Sequence, residues 1–226
     1  MHNLLCTKDH SYIYSSTYAK LTIRVVLKMN SDLQIWQKFQ VGHEASFKIL
    51  FERYNQLLFN YGFKFTQDES IIEDSIQELF VKLWCNRDNL SIDVIVKNYL
   101  YQAFRRVLVR KIEQSARRIS IANSSIDYLP FTIELPHDLS MIRQERAMEI
   151  RDKLDQALQQ MTARQREIIH LRFFEELPYT DIAEIMGLST KDTYKLFYRA
   201  LDSLKKHFGR FGLLVLLYLL QQLRPH

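Results

Sequence analysis

The chain has 226 residues, 47% hydrophobic and 25% charged, a composition that fits a folded globular protein and excludes a disordered one. Its 31 Lys and Arg against 26 Asp and Glu give a net charge of +5, compatible with a polyanionic partner but common to many proteins. Two distant cysteines, Cys6 and Cys85, and scattered histidines argue against a disulfide framework or a zinc site and point to a reducing cytoplasm, and no Gly-rich phosphate loop suggests a cofactor, so none is expected.

Only 5 Gly and 4 Pro are present, too few turn-formers for a strand-rich fold, so long helices are expected. Residues 1–28 have neither a sustained helical period nor a signal-peptide layout. Two readings stay open for them: a loosely packed N-terminal arm, or an extension ahead of a true start at Met29. NSDLQIWQ then opens a helix with Ser31 or Asp32 as its cap. Phe47, Leu50, Phe51, Tyr54, Leu57, Leu58 and Tyr61 recur every three or four residues and make one apolar stripe. Gly62 ends that helix and FTQDES forms a loop. Ile72, Ile76, Leu79, Phe80, Leu83 and Trp84 make a second stripe. Val94, Val96, Tyr99, Leu100, Ala103, Phe104, Val107 and Leu108 make a third.

Between 119 and 139 the helical period lapses into a Ser- and Pro-bearing stretch, read as a flexible linker that drapes over a surface. A second helical block runs from 140 to 208. Within it, YTDIAEIMGLSTKDTYKLFYRAL has the layout of a helix-turn-helix. Ile182, Ala183 and Met186 face inward, Thr180 or Asp181 caps the first helix, Gly187 supplies a positive φ, and Ser189 or Thr190 caps the second. Thr193, Phe197, Ala200, Leu201 and Leu204 then face inward, leaving Lys191, Asp192, Tyr194, Lys195, Tyr198 and Arg199 outward. Cations there suit phosphates and polar groups suit base edges, whereas a plain hairpin would merely solvate them. The tail FGLLVLLYLL, 211–220, is too short to span a bilayer. It is apolar all round, which fits packing on the second domain, docking of a partner, or membrane contact.

The plan is therefore all-α, with two helical domains joined by a flexible linker. The first (29–118) is a three- or four-helix bundle; the second (140–208) is a four-helix helix-turn-helix domain; 209–226 is a hydrophobic C-terminal helix.

IIEDSIQELFVKLW, Ile71–Trp84, resembles the Ala-Glu-Asp-x-x-Gln-Glu-x-Phe-x-x-x-Trp signature of extracytoplasmic-function (ECF, group IV) sigma factors of the sigma-70 superfamily. Glu73, Asp74, Gln77, Glu78, Phe80 and Trp84 are in register, and Ile72 replaces the leading Ala. LDQALQQMTARQREIIHLRFFEELPYTDIAEIMGLS is similar to the C-terminal domain of the same superfamily, with Met161 where Leu-Pro is usual. The resemblance implies that the chain is not an enzyme and has no small-molecule substrate. It implies docking on core RNA polymerase through Asp74, Gln77, Glu78 and Phe80. It implies binding of a melted −10 strand through a pocket loop at 85–91 and through Asn98, Tyr101, Gln102, Arg105, Arg106 and Arg110. Arg105-Arg106 departs from the family's Ala-Arg-Asn. Duplex −35 DNA would fall to Lys191, Asp192, Tyr194, Lys195, Tyr198 and Arg199, and a membrane-bound anti-sigma factor is a further partner of the kind the family uses. The residues themselves support the nucleic-acid expectation. Lys97, Arg105, Arg106, Arg110, Lys111, Arg117 and Arg118 interleave with Tyr99, Tyr101 and Phe104, the mixture that binds phosphates and stacks on unpaired bases. The alternative is a helix-turn-helix regulator that binds duplex DNA without engaging polymerase.

Overall fold

The computed structural model describes residues 32–119, 130–133 and 156–222, with side chains omitted for 116–119 and 207–222. Residues 1–31 and most of the linker, including Ser31 and the region around Met29, lie outside the described residues. The described chain is helical throughout: α1 (32–40), α2 (Glu44–Gly62), α3 (Glu69–Cys85), a short 3-10 turn (Arg87–Asn89), α4 (Val96–Ile119), α5 (156–159), α6 (Ala163–Phe173), α7 (Tyr179–Met186) and α8 (Thr190–Gln222).

Local chemistry sets the helix ends. Asp68 accepts from the Ile71 amide and starts α3. Thr162 and Gln165 form a reciprocal capping box at the start of α6. Helix α7 starts differently from expectation. Its cap is Pro178, whose fixed φ of −67° is already suited to a helix, and Thr180 and Asp181 lie inside the first turn. Gly187 takes φ +63° as expected, and the Leu188 and Gly187 amides close back on the Ala183 and Glu184 carbonyls. Ser189 accepts from the Asp192 amide and caps α8.

Helices α1–α4 enclose a core of Trp36, Phe39, Leu50, Leu58, Ile72, Leu79, Phe80, Leu100, Phe104 and Leu108. Phe51 only edges that core, in contact with Phe80. Asp32 is buried inside α1, bound by Arg53 and Tyr54, so its carboxylate locks α1 onto α2. Helices α6, α7 and α8 close a second core around Ile168, Leu171, Ile182, Met186, Phe197 and Leu204.

The two halves pack directly on each other, chiefly through α4 against α7. The described part of the linker is pinned between them rather than draped outside. Phe131 is 1% exposed and meets Phe65 edge-on at 4.9 Å, and the Thr132 amide donates to the Lys64 carbonyl at 2.7 Å. The reason is local: Phe131 and Ile133 are large apolar side chains within a polar stretch, and an aromatic slot is available. Arg166 fixes the same segment by donating to the carbonyls of Phe131, Leu158 and Met161. His170 stacks in this joint between Tyr61, Phe131 and Phe174. Helix α8 runs without a break to Gln222, so the apolar tail continues the helix-turn-helix rather than starting another helix. Gly209 and Gly212 each cost a helix only about 1 kcal/mol, and no proline intervenes.

Two stability outcomes follow. A Cβ added at Gly62 would sit 2.9 Å from Ile72 Cγ2 and 3.0 Å from Phe104 Cζ, both fully buried. Gly62→Ala should therefore destabilise by about 1–2 kcal/mol in urea unfolding, overriding the usual helix gain of about 1 kcal/mol for Ala; a higher midpoint would contradict this packing. Burial also pushes the His170 pKa down to about 4, against the pull of Glu175. The neutral ring is the folded form, so its stability is complete above the unfolded value near 6.5 and is lost as pH falls towards 4. From pH 7.5 to pH 5 the loss should be about 2 kcal/mol, and His170→Phe should flatten that limb.

Candidate nucleic-acid interface

Helix α4 is the hinge of the site because its 3.6-residue period divides it into three faces. Leu100, Phe104 and Leu108 fill the first core. Tyr99, Ala103, Arg106 and Arg110 follow one another at spacings of four, three and four and face outward towards α3. Asn98, Tyr101, Gln102 and Arg105 face the C-terminal half. The six residues expected to contact a melted strand are thus not on one surface.

The outward face lines an open groove of about 420 Å³ between α3 and α4. Leu79, Lys82, Leu83 and Asn86 form its α3 wall, Leu90 closes the loop end, and Tyr99, Ala103, Arg106, Val107 and Arg110 form the α4 wall. The groove is apolar at its floor and cationic at its rim, with one aromatic ring. Glu78 organises the rim: it pairs with Lys82 at 2.7 Å, with Arg110, and with Lys111 at 3.5 Å. The hydrogen bond from Lys82, aided by Arg110, holds the Glu78 carboxyl down to about 2. Loop residues 86–91 approach α1 as well, since Trp36 Nε1 donates to the Ser91 carbonyl at 3.0 Å.

The third face of α4 is shut. Arg105 donates twice to Glu167, at 2.6 and 2.8 Å, and Tyr61 donates to the same carboxylate at 2.6 Å. Arg105 and Glu167 are both buried. Burial opposes the Arg105 charge, but the hydrogen bonds and charge of Glu167 outweigh it and raise its pKa. Lys97 bonds Glu175 at 2.8 Å and lies over the Tyr101 ring. Asn98 donates to the Glu184 carboxylate at 3.3 Å, and Gln102 to the Glu184 carbonyl. Two polar atoms remain buried without a partner here, Asn98 Oδ1 and the Tyr101 hydroxyl.

On α3, Glu73, Asp74 and Gln77 are exposed along one edge, and Val81 continues the same face at 61% exposure. Two residues that the resemblance assigned to docking are elsewhere, Phe80 lying where the apolar stripe placed it. Phe80 is 3% exposed and packs edge-on against Phe47 and Phe51, because a ring of its size at that position falls on the core side of the helix. Glu78 is held by Lys82 on its own helix and by Arg110 and Lys111 of α4.

On α8, Lys191, Tyr194, Lys195, Tyr198 and Arg199 form one exposed face with Thr190 and Asp202. Tyr194 stacks near Tyr179 at 4.3 Å, so it is braced by α7. Asp192 is exposed but engaged: hydrogen bonds from Ser189 and then Lys195 keep its carboxyl below the ordinary range. Among the described residues no group of acids, histidines or cysteines is arranged to hold a metal ion, and no helix is long and apolar enough to cross a membrane.

The sequence places Tyr99 among the base-stacking rings and Leu90 within the pocket loop, but does not single out Lys82 for the groove, nor Glu167, Glu175 and Glu184 for the closed face. Tyr99 and Ala103, also expected in the core stripe, are indeed partly buried against the core, and the i, i+4, i+7, i+11 row through 99, 103, 106 and 110 is the signal that carries them onto the groove wall as well.

Comparison with known proteins identifies both halves of the chain. The family model described as Sigma-70 region 2 matches residues 50–118, and that described as Sigma-70, region 4 matches residues 151–204. Together they span more than half of the chain. The RNA polymerase sigma-H factor of Pseudomonas aeruginosa is 26% identical over 185 residues, covering 80% of this chain and 95% of that protein. Two Bacillus subtilis proteins, the ECF RNA polymerase sigma factors SigX and SigM, are 26% and 21% identical over 73% and 71% of this chain, and over 84% and 94% of their own. The fold is shared with CnrH, solved in complex with the cytosolic domain of CnrY, at a TM-score of 0.52 and 19% identity over 77% of this chain and 95% of that one. With both regions present in family order and sigma factors aligned along most of its length, the protein belongs to the sigma-70 family, in the extracytoplasmic-function branch, and is a sigma factor that directs RNA polymerase to promoters.

Proposed function

We propose a division of labour among three surfaces: α3 docks on core polymerase, the α3–α4 groove receives the opened −10 strand, and α8 reads the −35 duplex. The groove is the observation that carries this reading. Lys82, Arg106 and Arg110 offer charge for phosphates, Tyr99 offers a ring, and the apolar floor suits an unpaired base rather than a stacked duplex. The carboxylates of Glu73 and Asp74 would repel DNA, so this edge, with Gln77 beside them, suits a basic protein surface, with Val81 adding an apolar contact. The cation- and tyrosine-bearing face of α8 suits a major groove. On this reading bond-making belongs to the polymerase, the chain works in the cytoplasm on the nucleoid, and two modest DNA contacts gain affinity by being tethered. An anti-sigma protein as regulatory partner is part of the same reading; CnrH, of like fold, is held by the cytosolic domain of another protein.

Asp74→Arg with Gln77→Arg should lower association with core polymerase at least about tenfold, because both are exposed and placing cations there costs binding rather than folding. Co-elution with core polymerase at the wild-type level, with helicity intact, would remove α3 from the docking surface. Lys195→Ala with Arg199→Ala should weaken duplex binding and reduce its salt slope by about two. An unchanged slope would move the −35 surface off α8.

A further inference from the structure

We propose that Tyr194 and Tyr198 read thymine: their rings close on the C5-methyl groups of two A·T pairs about two base steps apart, and so set part of the sequence of the duplex element. The inference deepens the assignment of α8 to duplex DNA and rests on it.

The chemistry of the face carries it. Tyr194 and Tyr198 are 42% and 59% exposed near the start of α8. They wall a shallow depression lined almost wholly by carbon, although Lys191, Lys195, Arg199 and Asp202 stand at its rim. A large ring left in water gains only when an apolar partner takes the place of that water. In the major groove that partner is the thymine methyl, since the other base-edge groups displayed there are hydrogen-bond donors or acceptors.

The rest of the face leaves the A·T pairs to these rings. Adenine is otherwise read by the amide of an Asn or Gln, and none of the described residues on this face is Asn or Gln. Asp192, whose carboxylate suits cytosine, is taken up by Ser189 at 2.6 Å and by Lys195 at 3.1 Å. Thr190 can serve either kind of pair and separates none. Lys191 and Arg199 remain, suited to guanine or to phosphate.

Geometry then sets the spacing. Tyr179 lies 4.3 Å from Tyr194, and is itself seated edge-on against the buried Phe197 at 5.2 Å with Arg172 over its ring. A ring held before binding loses little rotamer freedom on contact. Tyr198 follows one helical turn later, about 6 Å along the axis. Base pairs follow one another every 3.4 Å or roughly so. A recognition helix presents its N-terminal turns to the base edges, so the two rings meet pairs about two steps apart.

The test selects duplexes from a library whose randomised block is copied with thymidine or with deoxyuridine, which pairs identically and lacks only the C5 methyl. The full chain is used with core polymerase and again without it, so that failed docking does not silence the selection. Wild type should enrich two A·T pairs about two steps apart from the thymidine library and lose that enrichment with deoxyuridine. In the selected duplex, uracil in place of one of those thymines should weaken binding about three- to fourfold. Tyr194→Phe and Tyr198→Phe should keep the thymine preference, whereas Tyr194→Ala and Tyr198→Ala should each abolish it at one position. Equal binding of thymidine and deoxyuridine duplexes by wild type overturns the proposal. So does a preference that Tyr198→Phe loses as fully as Tyr198→Ala, which would put the hydroxyl rather than the ring on DNA. Should Tyr194→Ala lose helicity by unseating Tyr179, the more exposed Tyr198 decides alone. Lys195→Ala with Arg199→Ala separates the two claims. A sequence preference that depends on these cations and not on the tyrosines sinks the methyl contact and spares α8 as the duplex surface. Selection of no sequence by any form, with the salt slope unchanged in the Lys195→Ala, Arg199→Ala chain, sinks both.

Discussion

The arrangement depends on one buried ion pair, Arg105 with Glu167, completed by the Tyr61 hydroxyl. Its physics is two-sided. Removing either partner would strand a charge in the joint and cost about 3–5 kcal/mol. Replacing the whole cluster by apolar side chains of similar volume would cost little. The pair therefore contributes direction more than strength: it tells α6 where to sit on α4, and the aromatic slot holding Phe131 and His170 follows from that seating. Inside the first half the Asp32 carboxylate plays a similar part between α1 and α2, while Trp36, Phe104, Ile168 and Leu204 hold the two bundles by burial.

Helix α4 shows how one amphipathic period can serve three surroundings. One row is core, a second is a cationic groove wall, and a third meets the C-terminal half. Glu78 on α3 ties the groove cations Lys82 and Arg110 together beside the exposed acidic edge. Only part of the acidic signature on α3 is thus exposed. Its outer members, Asp74 and Gln77, face solvent, while Glu78 tunes the neighbouring groove.

What was legible in the sequence was local. The stripe of α3, the positive φ at Gly187, the Ser189 cap and the inward row from Thr193 to Leu204 all rest on contacts within a few residues, and each stands in the structure. The capping box at Thr162 and Gln165 was readable by the same rule and escaped notice. What was not legible was distant. Arg105 and Glu167 are 62 residues apart, and nothing beside either names the other. Their long separation also explains why Asn98, Tyr101, Gln102 and Arg105 read as a single DNA surface with Arg106 and Arg110: the period that splits them is visible, but the helix that covers one row is not. Phe131 was hidden in a polar stretch for the same reason, since its slot is built from Phe65 and His170.

The account stands most directly on promoter selection by the chain itself. Purified protein and core polymerase, supplied with fragmented genomic DNA from the source organism, can be tested by sequencing the 5′ ends of the transcripts made. The account predicts start sites that require the protein and share two upstream elements, one duplex-read near −35 and one melted near −10. Transcripts identical with and without the protein, while it still binds duplex DNA, would contradict it and leave a helix-turn-helix regulator in its place.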